Sequence, residues 1–195
     1  MLVAHSAGGW IARIWLGSAD GRAEYGKRAY AAAARVTALL TMGTPHSSID
    51  GITRRNLGFV NSQCPGCLHH PAVAYVAVAS DAVAGRRRGE AAPPLGRESS
   101  VASESASPPT EAEADFACTS YELTCGRGDV RGDGVVPASL ALNLPSPPCV
   151  HVMLPHSLGV RHGPPPQQAQ ASPAWYGSPA AVDVWLPRLE EALSQ

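Results

Sequence analysis

The chain has 195 residues, of which 45% are hydrophobic and only 16% charged, and its formal net charge is −1. That length suits one domain with a real core, and the near-neutral balance excludes the basic surface that nucleic acid or an anionic membrane would demand. No stretch approaches the ~18 consecutive apolar residues of a membrane span, and the N-terminus lacks the basic start, apolar run and cleavage site of a signal peptide, so any targeting signal is expected upstream of Met1.

The first predicted element is a short apolar strand, Met1-Leu2-Val3-Ala4. From Ala7 onward Ile11, Ile14, Trp15 and Leu16 recur at helical spacing. His5 and Ser6 therefore lie at a strand-to-helix junction, where crowding admits only small neighbours, and Ala4, Ala7, Gly8 and Gly9 are all small. The string is a nucleophile elbow, G-x-S-x-G, with Ala4 in the first glycine position. Such a turn lifts the serine hydroxyl above the sheet and aims the next amide, that of Ala7, at a developing oxyanion. The same string also arises by chance in a strand-turn-helix, so the reading needs partners elsewhere in the chain.

Ala29 to Arg35 is alanine-rich, and Val36 to Met42 reads as a buried strand ending at Gly43-Thr44-Pro45-His46. A weak helix is predicted over Ile52 to Val60 in otherwise turn-rich sequence. Ala72 to Ala79 is a third strand, so continuously apolar that both its faces should be covered. Alternation of strand and helix is the pattern of a parallel α/β sheet. Of the five cysteines, Cys64 and Cys67 have CxxC spacing, but no second pair or histidine cluster completes a metal site. Scattered thiols with room for one disulfide are expected, and no metal.

Residues 86–115 have almost no large apolar side chain and many Ser, Pro, Glu and Ala, which predicts a disordered insertion that includes the solvated Arg86 to Arg88 triplet. Order is expected to resume near Phe116. A glycine-rich loop, Arg127 to Pro137, carries Asp129 and Asp133; Cys149 to Leu154 is a strand followed at once by Pro155 and His156. A Pro-rich loop over 163–173 leads to Ser178 as N-cap and Pro179 as first residue of a closing helix. Its inner face is expected to carry Val182, Trp185, Leu186 and Leu189, with Pro187 kinking it or shifting its start. Residues 1–85 and 116–195 thus form two parts of one domain around the 86–115 insertion.

A serine needs a base to take its proton and a carboxylate to orient that base. In hydrolases built on such elbows the order is Ser, acid, His, each near a strand end. Asp133, between two glycines and before Val135-Val136-Pro137, sits on a tight loop and is favoured as acid over Asp129, whose neighbour Arg131 suggests a surface role. Among seven histidines, His156 follows a strand directly and comes after Asp133, so it is the expected base. His5 is expected to point aside, and His162 lies in a Pro/Gly loop.

The segments A-H-S-A-G-G-W-I-A-R at 4–13, L-L-T-M-G-T-P-H at 39–46, G-D-G-V-V-P at 132–137, L-P-H-S-L-G at 154–159 and W-Y-G-S-P at 175–179 together resemble the α/β-hydrolase lipases of plants and algae. They are also similar to GPI inositol-deacylase-like and bacterial triacylglycerol lipases. The resemblance implies an α/β-hydrolase fold with a mostly parallel sheet, of which this chain would be the C-terminal half. It implies Ser6 as nucleophile, Asp133 as acid, His156 as base and Ala7 as an oxyanion-hole amide; a second such amide would lie ahead of residue 1. Gly43 to His46 would be structural. The implied activity is cleavage of lipid or other acyl esters without a cofactor, compatible with peripheral membrane contact. The alternatives are a non-catalytic hydrolase-like module and an acyltransferase that uses the same three residues.

Overall fold

The computed structural model describes residues 1–91, 108–144, 149–164 and 174–195. In chain order, β1 (Leu2–His5) leads into α1 (Gly8–Leu16). β2 (Glu24–Tyr25) and β3 (Arg28–Ala29) form a small antiparallel ribbon before β4 (Ala38–Met42), α2 (Gly51–Gln63) and β5 (Ala74–Ser80). β6 (Val83–Ala84) pairs antiparallel with β7 (Arg131–Gly132), across the helix α3 (Glu111–Cys125). α4 (Ala138–Ala141), β8 (Cys149–Leu154) and α5 (Pro179–Leu193) complete the fold.

Four strands make one parallel sheet in the order β1-β4-β5-β8. Alternation along β4 explains how the sheet is covered. Ala38, Leu40 and Met42 point to one face with Val76, Val78, Val152 and Leu154, where Ala181, Trp185 and Leu189 of α5 bury them. Leu39 points the other way, with Ala4 and Tyr75, under Ala12 and Leu16 of α1. A strand covered on both faces has no polar side to display, which is why β4 is buried throughout. Truncating a residue such as Leu189 in that layer should cost about 2–5 kcal/mol.

Two long-range ties fix α1 above the sheet. Arg13, almost wholly buried, donates from Nε and Nη2 to the Cys64 carbonyl at 3.2 and 2.7 Å and from Nη2 to Asn61 Oδ1 at 2.9 Å, which joins α1 to α2. Burial lowers its guanidinium to about 10. The indole of Trp10 donates to the Pro45 carbonyl at 2.7 Å. At the outer rim of the sheet, β1 pairs on one side only among the described residues, and an apolar groove of about 420 Å³ runs between it and α1 past Val3, Ile11 and Trp15.

Several sequence expectations change. The alanine-rich stretch, for which no element is predicted, runs from the end of β3 into a 3-10 turn at Ala33–Arg35. α3 begins at Glu111, inside the segment read as a disordered insertion; Thr110 and Glu113 form a reciprocal capping box, and the small residues Ala114 and Ala117 let the helix lie close on β6. Residues 92–107 of that expected insertion, and most of the 163–173 loop, fall outside the described residues. α5 runs unbroken through Pro187, and Leu186 lies on its exposed side. Ser178 holds the N-cap position, but its hydroxyl donates to the Trp175 carbonyl instead of capping. All five cysteines are free. None of the described helices is long and apolar enough to cross a membrane.

Candidate active site

The elbow has the backbone that its small residues permit. Ser6 adopts φ +54°, a left-handed conformation that a non-glycine residue holds only when its surroundings enforce it. The enforcement is visible. The Ser6 amide donates to the Met42 carbonyl at 3.0 Å, and the Thr44 hydroxyl donates to the Ser6 carbonyl at 2.7 Å. A Cβ on Gly9 would fall 2.5 Å from the Thr44 side chain, so position 9 must be glycine for that clamp to close. Position 8 is looser, since a Cβ there would meet Ala4 Cβ at an ordinary 3.8 Å, which is how alanine replaces the first glycine of the motif without strain. Ala7 is the exposed N-cap of α1, and among the described residues no carbonyl accepts its amide.

Gly43-Thr44-Pro45-His46 forms the wall beside this turn. His46 is completely buried, with its amide bonded to the Leu140 carbonyl and its Nε2 3.3 Å from Thr41 Oγ1. Asn61 donates to its carbonyl. Burial, reinforced by the charge of Arg13, lowers its imidazole to about 3, so the ring is a neutral structural member.

Asp133 is the most heavily bonded carboxylate in the described structure. Its Oδ1 accepts the amides of Val135 and Val136 at 3.0 and 2.8 Å, and its Oδ2 accepts the Tyr176 hydroxyl at 2.9 Å. The fourth donor is Nδ1 of His162, 2.8 Å from Oδ2, and the His162 amide also donates to the Asp133 carbonyl. The carboxylate is 1% exposed and the imidazole 15%. Burial, then the charge and hydrogen bond of Asp133, push the Tyr176 phenol well above its ordinary value, so it stays a donor.

The expected base, His156, is elsewhere. It lies in the 3-10 turn His156–Leu158 and its Nδ1 faces Asp81 Oδ1 at 3.2 Å. Asp133 and His156 are therefore not a pair, and the partner of Asp133 is His162. The physical reason is the reversal at Gly159, φ +60°, which carries the chain back so that the second histidine, not the first, meets the aspartate loop. Asp129 makes a surface pair with Arg127, not with the Arg131 that its sequence suggested.

Gly43 brings this dyad to the elbow. With φ +54°, it follows Met42, which pairs with His5 across the sheet. A Cβ at position 43 would stand 2.6 Å from Asp133 Oδ2, 2.9 Å from Tyr176 Cε2 and 3.2 Å from His162 Nδ1. The missing side chain is the space in which the dyad sits. On the other side the His162 ring lies 4.5 Å from the ring of His5, the residue before Ser6, and His5 is 5.9 Å from Tyr176. Burial and then the neighbouring His162 lower the His5 imidazole, against smaller opposing effects of the His162 backbone and Asp133. Ser6, Ala7, Asp133 and His162 thus share one end of the sheet, and a cavity of about 190 Å³ touches Asp133 and His162 between Val83, Val135 and Phe116.

No family model, curated protein or solved structure matches the chain.

Proposed function

We propose that the chain carries a serine-hydrolase site of the α/β-hydrolase type, lipase- or esterase-like, cleaving acyl esters through an acyl-enzyme on Ser6. The base in this reading is His162, with Asp133 as its orienting acid. The observation that carries it is the buried Asp133–His162 pair resting over Gly43 beside a serine held at φ +54°. With Nδ1–H committed to Asp133, the ring leaves Nε2 as the acceptor for a serine proton.

Ser6 Oγ attacks the ester carbonyl as its proton passes to His162. The Ala7 amide stabilises the oxyanion, and the alcohol departs with the proton from His162. Water, deprotonated by the same ring, then releases the carboxylic acid and restores the serine. Among the described residues the Ser6 hydroxyl makes no hydrogen bond to His162, and such a bond commonly tightens only around bound substrate.

A fluorophosphonate probe tests the reading on the full chain. The expected result is labelling that disappears in Ser6→Ala and His162→Gln and persists in His156→Gln. A folded chain that takes no label would make the protein a non-catalytic module, and labelling that depends on His156 instead of His162 would overturn the assignment of the base.

A further inference from the structure

The two cysteines of the CxxC string part company in the fold. Cys64 is the C-cap of α2, and its carbonyl accepts two N–H groups of Arg13. Cys67 turns instead into the apolar cluster that Ala12 and Leu16 of α1 cover, and Cys149, the first residue of β8, packs against that same cluster. The sheet register explains the meeting. Cys149 lies opposite Tyr75 of β5, also in the cluster, and partners across a sheet share a face. The Tyr75 hydroxyl accepts the His69 amide at 3.3 Å, and the His70 amide donates to the Cys67 carbonyl at 3.0 Å, so a short fixed turn holds Cys67 over that face.

Each thiol acts on the other. Hydrogen bonding to Cys149 lowers the Cys67 thiol, against burial and with a further contribution from the charge of Arg13. The same contact, then burial, raises the Cys149 thiol. Arg13 has a donor to spare, since its buried Nη1 makes no hydrogen bond among the described residues. A cation beside a cysteine favours the thiolate, so Cys67 carries the thiolate character of the pair and Cys149 keeps its proton. Cys64, by contrast, is raised by burial, with Arg13 opposing, and neither of the other two thiols enters its balance.

We propose that Cys67 and Cys149 are a redox pair that hydrogen peroxide converts into a reversible disulfide, while Cys64 stays out of the bridge. The Cys67 thiolate attacks one peroxide oxygen, the O–O bond breaks and hydroxide leaves, so Cys67 becomes a sulfenic acid. The Cys149 sulfur then attacks that of Cys67, the S–O bond breaks, and the oxygen departs as water with the Cys149 proton. Two thiols give up two electrons and two protons, and one peroxide becomes two waters. An external thiol reverses the step by exchange. So small an oxidant suits sulfurs on residues that are buried, as Cys67 is, or half-buried, as Cys149 is. The pair involves neither Ser6 nor His162 and does not depend on the hydrolase reading.

Peptide mapping of the full chain provides the test. The folded, reduced protein is exposed to hydrogen peroxide, quenched with catalase, alkylated in denaturant and mapped by mass spectrometry. The expected result is a fall in titratable thiols from five to three, a linked Cys67–Cys149 peptide pair, and recovery of all five with dithiothreitol. Cys149→Ser should abolish the bridge and leave Cys67 as a sulfenic acid that dimedone labels, and Cys64→Ser should leave the bridge unchanged. The mapping of the unaltered chain decides the pairing even where a variant fails to fold. The proposal is overturned by a thiol count that stays at five, by a bridge from Cys64 to Cys67 or any other pairing in place of Cys67–Cys149, or by oxidation of Cys67 to the sulfinic acid with no bridge formed.

Discussion

His162–Asp133 and His156–Asp81 are the same chemical pair at the same end of the molecule, yet their settings differ. The first spans 2.8 Å, with an aspartate 1% exposed; the second spans 3.2 Å, with an aspartate 14% exposed and a histidine 31% exposed. Asp133 receives two backbone amides and a buried phenol besides its histidine, whereas His156 borders a cavity of about 230 Å³ that Arg86 and Arg131 also line. A histidine–aspartate contact by itself is thus weak evidence for catalysis. The donors that immobilise the carboxylate, and what lies beyond the ring's other nitrogen, separate a preorganised dyad from a surface pair.

The largest expected effect breaks the comparison outright. His162→Gln should lower kcat/KM for a short-chain nitrophenyl ester by about 10⁴–10⁶-fold, the scale on which loss of a triad member acts. Gly43→Ala follows, because its methyl would meet Asp133, Tyr176 and His162 while also disfavouring φ +54°. We expect at least a hundredfold loss of activity and a drop in chemical stability of about 2 kcal/mol or more in urea unfolding. A Gly43→Ala chain with the activity of the parent would remove the main support for the dyad's placement.

Acid should expose the neighbouring buried ring. His46 is lowered from 6.5 to about 3, so the unfolded chain takes up a proton there that the folded chain refuses. Stability is therefore full above about pH 6.5 and falls as the pH drops toward 3. By pH 4 the contribution amounts to about 3 kcal/mol. Denaturation midpoints compared with those of His46→Gln, which lacks the titration, isolate it.

Tyr176→Phe removes one donor from Asp133 and leaves the packing in place. An approximately tenfold fall in kcat with little change in KM is expected, corresponding to about 1.4 kcal/mol. The smallest effect belongs to the other pair: His156→Gln should keep ester hydrolysis within about twofold of the parent. A loss comparable to that of His162→Gln would reverse the ranking of the two pairs.

The four sheet strands were legible because long apolar runs bounded by turn residues have few other fates, and Ser178-Pro179 announced α5 in the same way. The start of α3 was hidden because Glu111 to Asp115 reads as polar low-complexity sequence; only Thr110 and Glu113, a capping pair, signalled the helix. At the candidate site, the turn at Ser6 and Ala7 and the tight loop at Asp133 were legible from local chemistry. The pairing of Asp133 with His162 was not, because it is set by how far the chain doubles back after β8. The cue present in the sequence was Gly159, a reversal point lying between the two competing histidines.

β1 carries Ser6 and is also the rim strand of the sheet, with hydrogen-bonding groups on its outer side unpaired by any described strand. Amide exchange should accordingly be fastest among the sheet strands in the one that carries the proposed nucleophile. Besides its pairing with β4, the turn is held by the Thr44 hydroxyl on the Ser6 carbonyl, and α1 behind it by the Trp10 indole on the Pro45 carbonyl. On warming, reactivity toward a serine probe should fade several degrees before the core around α5 melts, as a local opening of the elbow instead of a global transition.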